Sequence, residues 1–204
     1  MRLVLASNNA GKLAELQALF EPLGLLLVRQ GDLGIAEAEE PHLTFIENAL
    51  AKARHAAQQA QGAAIADDSG LCVDALGGAP GVRSARYAED FGQPKGDAAN
   101  NRVLLEQLAG TTTEADRKAR FVCALVAVRS ADDPQPLVAL GRWAGVILPA
   151  SRGDAGFGYD PLLFLPELQC SVAELSPAEK NARSHRGLAA REMLRQMREV
   201  WGLG

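Results

Sequence analysis

The sequence predicts an α/β or α+β fold around a mixed sheet. Apolar runs of strand length are interspersed with segments of helical periodicity, without the strict strand–helix–strand order of a purely parallel sheet. Two long apolar runs, 119–130 and 136–148, flank the short turn ADDPQ and predict neighbouring antiparallel strands. The 204 residues, 48% hydrophobic and without internal repeats, predict one domain over 1–204, with room for two lobes.

The first half of the chain predicts strands at 2–6 and 25–29 with a helix between them that ends before Gly24. The apolar positions of that helix are Leu13, Leu16, Leu19 and Phe20. A T-x-x-E capping box at Thr44 and Glu47 starts a second helix, from which Asn48 and Lys52 project on one face. Its expected inward positions are Leu43, Ile46, Leu50 and Ala53.

Further along, residues 63–66 and 71–73 predict two short strands, and 77–87 an ordered loop rich in Gly, Pro and Arg. A helix is expected around 98–109, and strand-like LLFL follows the glycine-rich stretch 151–161. A second capping box, Ser176 with Glu179, has Pro177 at the first helical position, and Gly187 marks the entry to a last helix.

Composition excludes several classes of partner. Lys and Arg number 21 against 25 Asp and Glu, so the net charge of −4 opposes nucleic acid and anionic membranes. The longest apolar run, FVCALVAV, is far shorter than the ~20 residues that span a bilayer, and the apolar stretch at the start is too short for a signal peptide. We therefore expect a cytoplasmic protein with no nucleic-acid and no membrane partner.

Cysteine and histidine spacing argues against zinc and redox sites. Cys72, Cys123 and Cys170 lie far apart, and the three histidines do not form an H-E-x-x-H motif. A bound metal should therefore be a hard ion held by oxygen ligands.

The segment SNNAGK, residues 7–12, lies at a strand-to-helix junction, where backbone N–H groups and the helix dipole favour an anion. Lys12 could then be the counter-charge of a phosphate. The segment is not a Walker A loop, because Ala6 stands where the first glycine belongs and Leu13 replaces the Ser or Thr. A plain helix cap by Ser7 or Asn9 is an equally good interpretation.

Other polar segments allow two interpretations each. Asp67 and Asp68 in DDSG either form a solvated turn or hold a cation, and the acidic loop with Glu37, Glu39 and Glu40 looks solvated. GFGYDP is either a turn or a pair of stacking faces, Phe157 and Tyr159, beside a carboxylate. The segment SHRG, residues 184–187, is either a helix cap with surface charge or a source of two hydrogen-bond donors, His185 and Arg186. Lys180 taken alone looks like an ordinary surface lysine.

Five segments in order, LASNNAGKLAEL, TFIENALAKA, ADDSGLCVDALGGAPGVRSARYA, GFGYDPLLF and LSPAEKNARSHRG, closely resemble the inosine triphosphate pyrophosphatase family, also called Ham1-like or RdgB-like. The resemblance covers residue 3 to about 190. It implies Mg²⁺-dependent hydrolysis of dITP, ITP and XTP, non-standard purine nucleoside triphosphates, to the monophosphate and pyrophosphate, which cleans the nucleotide pool. It also implies a cytoplasmic homodimer and an elongated α/β domain whose long central mixed sheet floors a cleft between two lobes.

The resemblance also assigns site residues. Ser7, Asn9 and Lys12, within the 7–12 turn that also contains Asn8, Ala10 and Gly11, would bind the triphosphate, and Lys52 would face the phosphates. Asp67 and Asp68 would lie near the metal, together with Glu39 or Glu40, and Ser69 would contact the substrate. The base and sugar would lie against Phe157, Gly158, Tyr159 and Asp160, with Lys180, His185 and Arg186 closing over the base.

This assignment explains why two acids stand next to a phosphate site: they hold Mg²⁺, which needs only one or two carboxylates besides the substrate. Asp68 is then the general base or a metal ligand with Asp67 in support, and Lys12 and Lys52 stabilise the phosphoryl charge. Donors such as Arg186 or His185 would favour a 6-oxo purine over adenine. The alternatives are a Maf-like pyrophosphatase for other nucleotides and a sensor that binds nucleotides without hydrolysis.

Overall fold

The computed structural model describes residues 2–21, 24–111, 113 and 115–203. The chain divides into two compact units. The first unit comprises Met1–Asp68, Cys123–Gly141 and His185–Gly204, and the second comprises Ser69–Val122 and Arg142–Ser184. The expected single domain over 1–204 stays a prediction.

The described residues form a seven-stranded sheet in the order β2-β1-β3-β4-β5-β6-β7. Its strands are β1 (Arg2–Leu5), β2 (Leu26–Arg29), β3 (Ala64–Val73), β4 (Lys118–Val128), β5 (Leu137–Ile147), β6 (Leu163–Leu165) and β7 (Cys170–Ser171). β1 is parallel to β2 and β3, with Leu5 opposite Ile65 in the β1–β3 register, whereas β6 is antiparallel to β5 and β7. The mixed α/β sheet is therefore confirmed, as is the adjacency of the two long strands β4 and β5.

The helices are α1 (Ala10–Phe20), α2 (Phe45–Ala60), α3 (Asp97–Gln107), α4 (Pro177–Arg183) and α5 (His185–Trp201). Short 3-10 segments occupy Gln30–Leu33, Asp74–Leu76, Gly81–Phe91, Ala115–Arg117 and Val172–Glu174. The cap of α2 is confirmed, since the Thr44 side chain accepts the Glu47 N–H. The capping box of Ser176 and Glu179 at α4 is confirmed as well, with proline at the start of the helix. Throughout the described residues, every helix is too short or too polar to span a bilayer.

The first unit packs apolar side chains on both faces of its strands. On one face, residues such as Leu5 and Ile65 pack with Leu16 of α1 and Met193 of α5. On the other face, the alanines of α2 pack against small residues of β1, β3 and β4. The second unit has its own core, in which Leu71 and Phe121 pack with Val103 and Leu104 of α3. Helices α1 and α5 thus share one side of β3, and α2 lies on the other.

The predicted inward face of α2 is wrong at its first turn. Leu43 is 90% exposed and Ile46 is also exposed, while Asn48 and Lys52 are buried together with the small alanines of that face. Alanine lets the helix approach the sheet closely, and the buried lysine is matched by carboxylates described below. The buried face of α2 therefore consists of small residues together with the charged Lys52.

A single glycine determines how α5 begins against β5. A Cβ atom at Gly141 would lie 1.8 Å from the His185 carbonyl oxygen and 2.8 Å from the Ala189 nitrogen. Both are backbone atoms, so no side-chain rotation could relieve the overlap. Gly141 therefore allows the first turn of α5, which carries His185 and Arg186, to pack directly on the strand.

Candidate active site

The paired acids lie inside β3 and do not form a turn. Asp67 and Asp68 are both buried, and β3 continues through them to Val73, so the prediction of two short strands with a turn between them is wrong. Successive side chains of a strand point to opposite faces. Asp67 accordingly meets groups from α1 and α5, and Asp68 meets a group from α2. The repulsion expected between adjacent acids is relieved because each has its own counter-charge.

Asp67 is fully engaged by cations. Lys12 Nζ lies 2.6 Å from Oδ1, and Arg186 Nε donates to Oδ2 at 2.8 Å. The Cys123 thiol lies 3.4 Å from Oδ2, and Arg186 also pairs with Glu15 through Nη1. Burial alone would raise the pKa of Asp67, but Arg186 and Lys12 outweigh it and hold that pKa well below its usual range. Asp67 is therefore an ionised carboxylate that pairs with two cations.

Asp68 is engaged on one oxygen only. Lys52 Nζ lies 2.9 Å from Asp68 Oδ1 and 2.7 Å from Glu40 Oε1. The buried Oδ2 atom has no hydrogen-bond partner among the residues that the structure describes. Burial raises the pKa of Asp68, and attraction to Lys52 offsets only part of that effect. Burial would lower the pKa of Lys52, but Asp68 and Glu40 raise it overall, so the lysine is a cation.

The segment 7–12 forms a capped helix start. The Asn9 side chain accepts the Lys12 N–H at 3.0 Å, and Ser7 Oγ accepts the Asn9 N–H at 3.2 Å, so the interpretation as a helix cap is confirmed for Asn9. The Asn8 side chain lies close to Gly31, where a Cβ atom would come within 2.6 Å of Asn8 Oδ1. Ala10 and Gly11 follow in the first turn of α1, where N–H groups lack carbonyl partners within the helix. This cap leaves the helix start able to meet an anion.

The donor set fits a magnesium ion. Across the described ranges, no group of three His, Cys, Asp or Glu side chains is preassembled as a metal site. Mg²⁺ usually binds one or two carboxylates, with substrate oxygens and water completing the octahedron. Asp68, whose Oδ2 is unpartnered among the described residues, and Glu40, which reaches the same lysine, could supply such oxygens, whereas Glu39 is exposed. These oxygens suit a hard cation.

A second cluster lies in the second unit and is centred on Asp160. Lys180 Nζ lies 2.7 Å from Asp160 Oδ2 and 4.5 Å from the centroid of the Phe157 ring. The same Oδ2 accepts the Phe157 N–H at 2.9 Å. A Cβ atom at Gly156 would lie 2.1 Å from Asp160 Oδ2, so glycine gives the carboxylate its room. Lys180 is buried here, which corrects its interpretation as an ordinary surface lysine.

Tyr159 does not offer the second stacking face that the sequence suggested. Its ring is only 4% exposed, and its hydroxyl donates to the Ser84 carbonyl at 2.9 Å. Burial raises the pKa of this phenol. The turn at 157–160 sends Tyr159 into the core of the second unit, which leaves Phe157, half-buried, as the aromatic surface.

Four residues outside the predicted set contact the clusters. Glu15 pairs with Arg186, and Cys123 contacts Asp67, as described above. Asp97 and Asn101 of α3 hydrogen-bond to the backbone of Gly158. Glu15 lies one turn after Lys12 on α1, and that spacing could have indicated it. Nothing in the sequence pattern indicates the other three.

The comparisons with known proteins agree with these motifs. The model of the Ham1 family matches residues 3–196. The chain belongs to the Ham1 family. Among relatives named dITP/XTP pyrophosphatase, the protein of Methylibium petroleiphilum is 64% identical over 98% of this chain and 99% of its own length. The protein of Leptothrix cholodnii is 61% identical over the full length of both chains.

The fold comparison gives the same family. The solved HAM1 protein of Coxiella burnetii is similar with a TM-score of 0.89 and 43% identity, covering 98% of this chain and 100% of that one. The Ham1 protein of Staphylococcus aureus has a TM-score of 0.81 and 37% identity over 94% of this chain and 95% of its own. The family expected from the five motifs is therefore confirmed.

Proposed function

We propose that this Ham1 protein is a nucleoside triphosphate pyrophosphatase that hydrolyses dITP, ITP and XTP to the monophosphate and pyrophosphate. The observation that carries the proposal is the environment of Asp68: a buried carboxylate with one oxygen on a lysine and the other without a partner among the described residues. Relatives over 60% identical bear the name dITP/XTP pyrophosphatase, which supports the same activity.

In this proposal the triphosphate is bound by the first unit. Lys12, Lys52 and the N–H groups at the start of α1 supply positive potential in a molecule that is acidic overall. As phosphate oxygens arrive, each lysine exchanges part of its contact with a carboxylate for contact with phosphate. The lysines then stabilise negative charge that builds on the leaving pyrophosphate. Mg²⁺, when bound, would screen the phosphates from the carboxylates and orient substrate oxygens.

Asp68 is proposed as the general base. Its Oδ2 can accept a proton from a water that attacks the α-phosphorus, while Oδ1 stays on Lys52; the bond from that phosphorus to the pyrophosphate oxygen breaks. The raised pKa of Asp68 makes it a better proton acceptor than an exposed aspartate. Asp67 is the weaker candidate, because both of its oxygens are held by cations and its pKa is depressed. Of the two roles that the sequence left open for Asp68, general base and metal ligand, we therefore favour the base, and we favour Glu40 over Glu39 as the metal ligand.

The base is proposed to stack on Phe157 beside Lys180, with Asp160 holding both in place. Ser69, which is half-buried on β3, and Gly158 are the further substrate contacts that the family resemblance implies. His185 and Arg186 remain the proposed donors to a 6-oxo purine. Arg186 is already paired with Asp67 and Glu15, so in this proposal it would meet the base through a guanidinium that two carboxylates orient.

Two further parts of the proposal are supported by the family resemblance alone: a homodimer and a cytoplasmic location. Sedimentation of the purified protein at micromolar concentration would test the first. A monomer there would remove the dimer from the proposal without affecting the proposed chemistry.

A pyrophosphate-release screen tests the function. Wild-type protein is incubated with dITP, ITP, XTP, the four ordinary ribonucleotides and modified pyrimidine triphosphates, each with and without Mg²⁺. We expect the three deaminated purines to lead by kcat/KM, and release to require the metal ion. Preference for modified pyrimidines would favour a Maf-like activity, and tight binding without release would favour a sensor.

A further inference from the structure

Two side chains of α3 hold the backbone of Gly158 from both of its ends. Asp97 Oδ2 accepts the Gly158 N–H at 2.6 Å, and Asn101 Nδ2 donates to the Gly158 carbonyl at 3.0 Å. The two residues are four apart on the helix, so their side chains lie on one face. Each therefore fixes one of the two peptide groups that flank the Gly158 Cα.

These peptide groups fix the backbone at Phe157 and thereby the direction in which its Cα–Cβ bond points. The peptide that carries the Gly158 N–H is the one that follows Phe157, and Gly158 has φ +62, a left-handed conformation that glycine adopts without strain. On its other side, the Phe157 N–H is held by Asp160. Phe157 is thus bounded by fixed peptides before and after it. Rotation of the segment that would move the ring must break at least one of these hydrogen bonds.

Packing holds only part of this segment against α3, because Tyr159 lies in the same core as Val103 and Leu104 whereas Phe157 and Gly158 border an open space. A cavity of about 760 Å³ is lined by α3 and by residues 151–161, with Phe157 and Gly158 in its wall. Side chains across such a space lack the close contacts that would fix the loop. The hydrogen bonds from Asp97 and Asn101 are therefore a direct restraint that α3 places on the backbone at Gly158.

Asn101 keeps this contact at an energetic cost. Its Oδ1 atom is buried and has no hydrogen-bond partner among the described residues. An unsatisfied buried acceptor is destabilising, so an apolar residue would serve the helix better if stability alone mattered. The neighbouring Asn100, in contrast, uses both ends of its amide, on the Ala88 N–H and the Ala85 carbonyl. Asn100 has the bonding of a structural amide, and Asn101 uses only its donor.

We propose that Asp97 and Asn101 are positioning residues for the nucleobase, holding Phe157 beside Lys180 in the orientation that the base requires. This inference rests on the proposed function, in which the base stacks on Phe157. A preformed stacking surface lowers the ordering that binding would otherwise require. Neither residue takes part in the phosphoryl chemistry, so their loss should weaken substrate binding and leave kcat nearly unchanged.

The sharpest test is Asn101→Asp, because it keeps the shape and replaces the donor with an oxygen that faces the Gly158 carbonyl. We expect KM for ITP to rise about tenfold with kcat within about twofold of wild type, the loss typical of one directed hydrogen bond. Gln107→Glu is the matched control, since it adds the same charge at an exposed position of the same helix. It should leave both constants unchanged.

A second pair keeps the test valid if Asn101→Asp folds poorly. Asp97→Asn retains an oxygen that can accept the Gly158 N–H and should restore KM close to wild type, whereas Asp97→Ala should raise it severalfold. Amide hydrogen exchange at Gly158, read by NMR, should accelerate in Asp97→Ala and not in Asp97→Asn.

The outcomes separate the two levels of the proposal. Faster exchange at Gly158 with an unchanged KM would overturn the positioning role while the proposed function stands. Equal falls of kcat in Asp97→Asn and Asp97→Ala would also overturn it. A wild-type protein that releases no pyrophosphate from ITP would overturn the proposed function, and the positioning role with it.

Discussion

The two clusters of this Ham1 protein use carboxylates in different ways. In the first unit, Asp67 and Asp68 meet the side-chain cations Lys12, Arg186 and Lys52. In the second unit, Asp97 and Asp160 accept backbone N–H groups of the loop that carries Phe157. Asp160 has one side-chain cation besides, Lys180. The first arrangement concentrates charge, which suits an anionic phosphate chain. The second arrangement fixes the direction of a peptide, which suits the recognition of a planar base.

A further contrast exists inside the first unit, between the two neighbours on β3. Asp67 has partners on both oxygens, whereas Asp68 Oδ2 has none among the described residues. Residues that are saturated by ion pairs stabilise a fold, and those that are left partly unsatisfied in a buried site are suited to chemistry. Substitution of Asp68 should therefore affect mainly the activity, and substitution of Asp67 mainly the stability of the fold.

The largest expected effect is on the activity of Asp68→Asn. The amide can still accept from Lys52, and that lysine keeps Glu40, so the fold should persist with an unchanged circular dichroism spectrum. Turnover of ITP should fall by about 10²–10⁴-fold, because the amide cannot accept the proton of the attacking water. Pyrophosphate release under saturating ITP measures the loss. Near-native activity would remove Asp68 from the role of base.

Asp67→Asn should act mainly on stability. It removes the charge that matches Arg186, which is almost fully buried, and leaves Glu15 as the remaining carboxylate on that guanidinium. Removing one partner of a buried ion pair costs about 3–5 kcal/mol in the free energy of unfolding. Urea unfolding of Asp67→Asn and Asp68→Asn side by side measures the contrast. If both variants lose the same stability, the distinction between the two acids fails.

The sequence predicted the five helices, most of the strands and the family, because periodicity, capping boxes and five motifs are local patterns. Thr44 and Ser176 cap their helices as expected. It failed where burial depends on a partner distant in the chain. The buried face of α2 could not be read from apolar spacing, since Lys52 is buried by virtue of Asp68, 16 residues further on.

The β3 error has a similar origin. Asp, Ser and Gly favour turns locally, and only the cations from α1, α2 and α5 make an uninterrupted strand favourable there. Sequence alone could place Asp67 and Asp68 near a cation, but could not assign each its own face. The roles of Asn101 and Cys123 could not be predicted for the same reason, since their hydrogen-bond partners lie 57 and 56 residues away in the chain.

The smallest expected effect concerns Asp133, a carboxylate outside both clusters that accepts hydrogen bonds from backbone N–H groups. Asp133, in the turn between β4 and β5, accepts the N–H groups of Arg129 at 2.9 Å and Gln135 at 3.0 Å. Burial would raise the pKa of Asp133, but these hydrogen bonds outweigh it and lower that pKa. Because the folded-state pKa is depressed, the stability that this carboxylate contributes is present above the unfolded value of about 3.9 and is lost as pH falls through the folded value.

Asp133→Asn should therefore lower the free energy of unfolding by about 1 kcal/mol at pH 7, the typical value of one hydrogen bond. The difference from wild type should shrink as the pH is lowered below about 4, where the Asp133 carboxyl group of the unfolded chain begins to bind a proton that the folded protein still excludes. Urea midpoints at pH 7 and pH 3 measure both effects, and ITP turnover at pH 7 should not change. If the difference in the free energy of unfolding between wild type and Asp133→Asn grows as the pH falls, the turn does not hold Asp133 as an anion. In that case a carboxylate bound to backbone N–H groups would not stabilise its loop in the way proposed for Asp97 and Asp160.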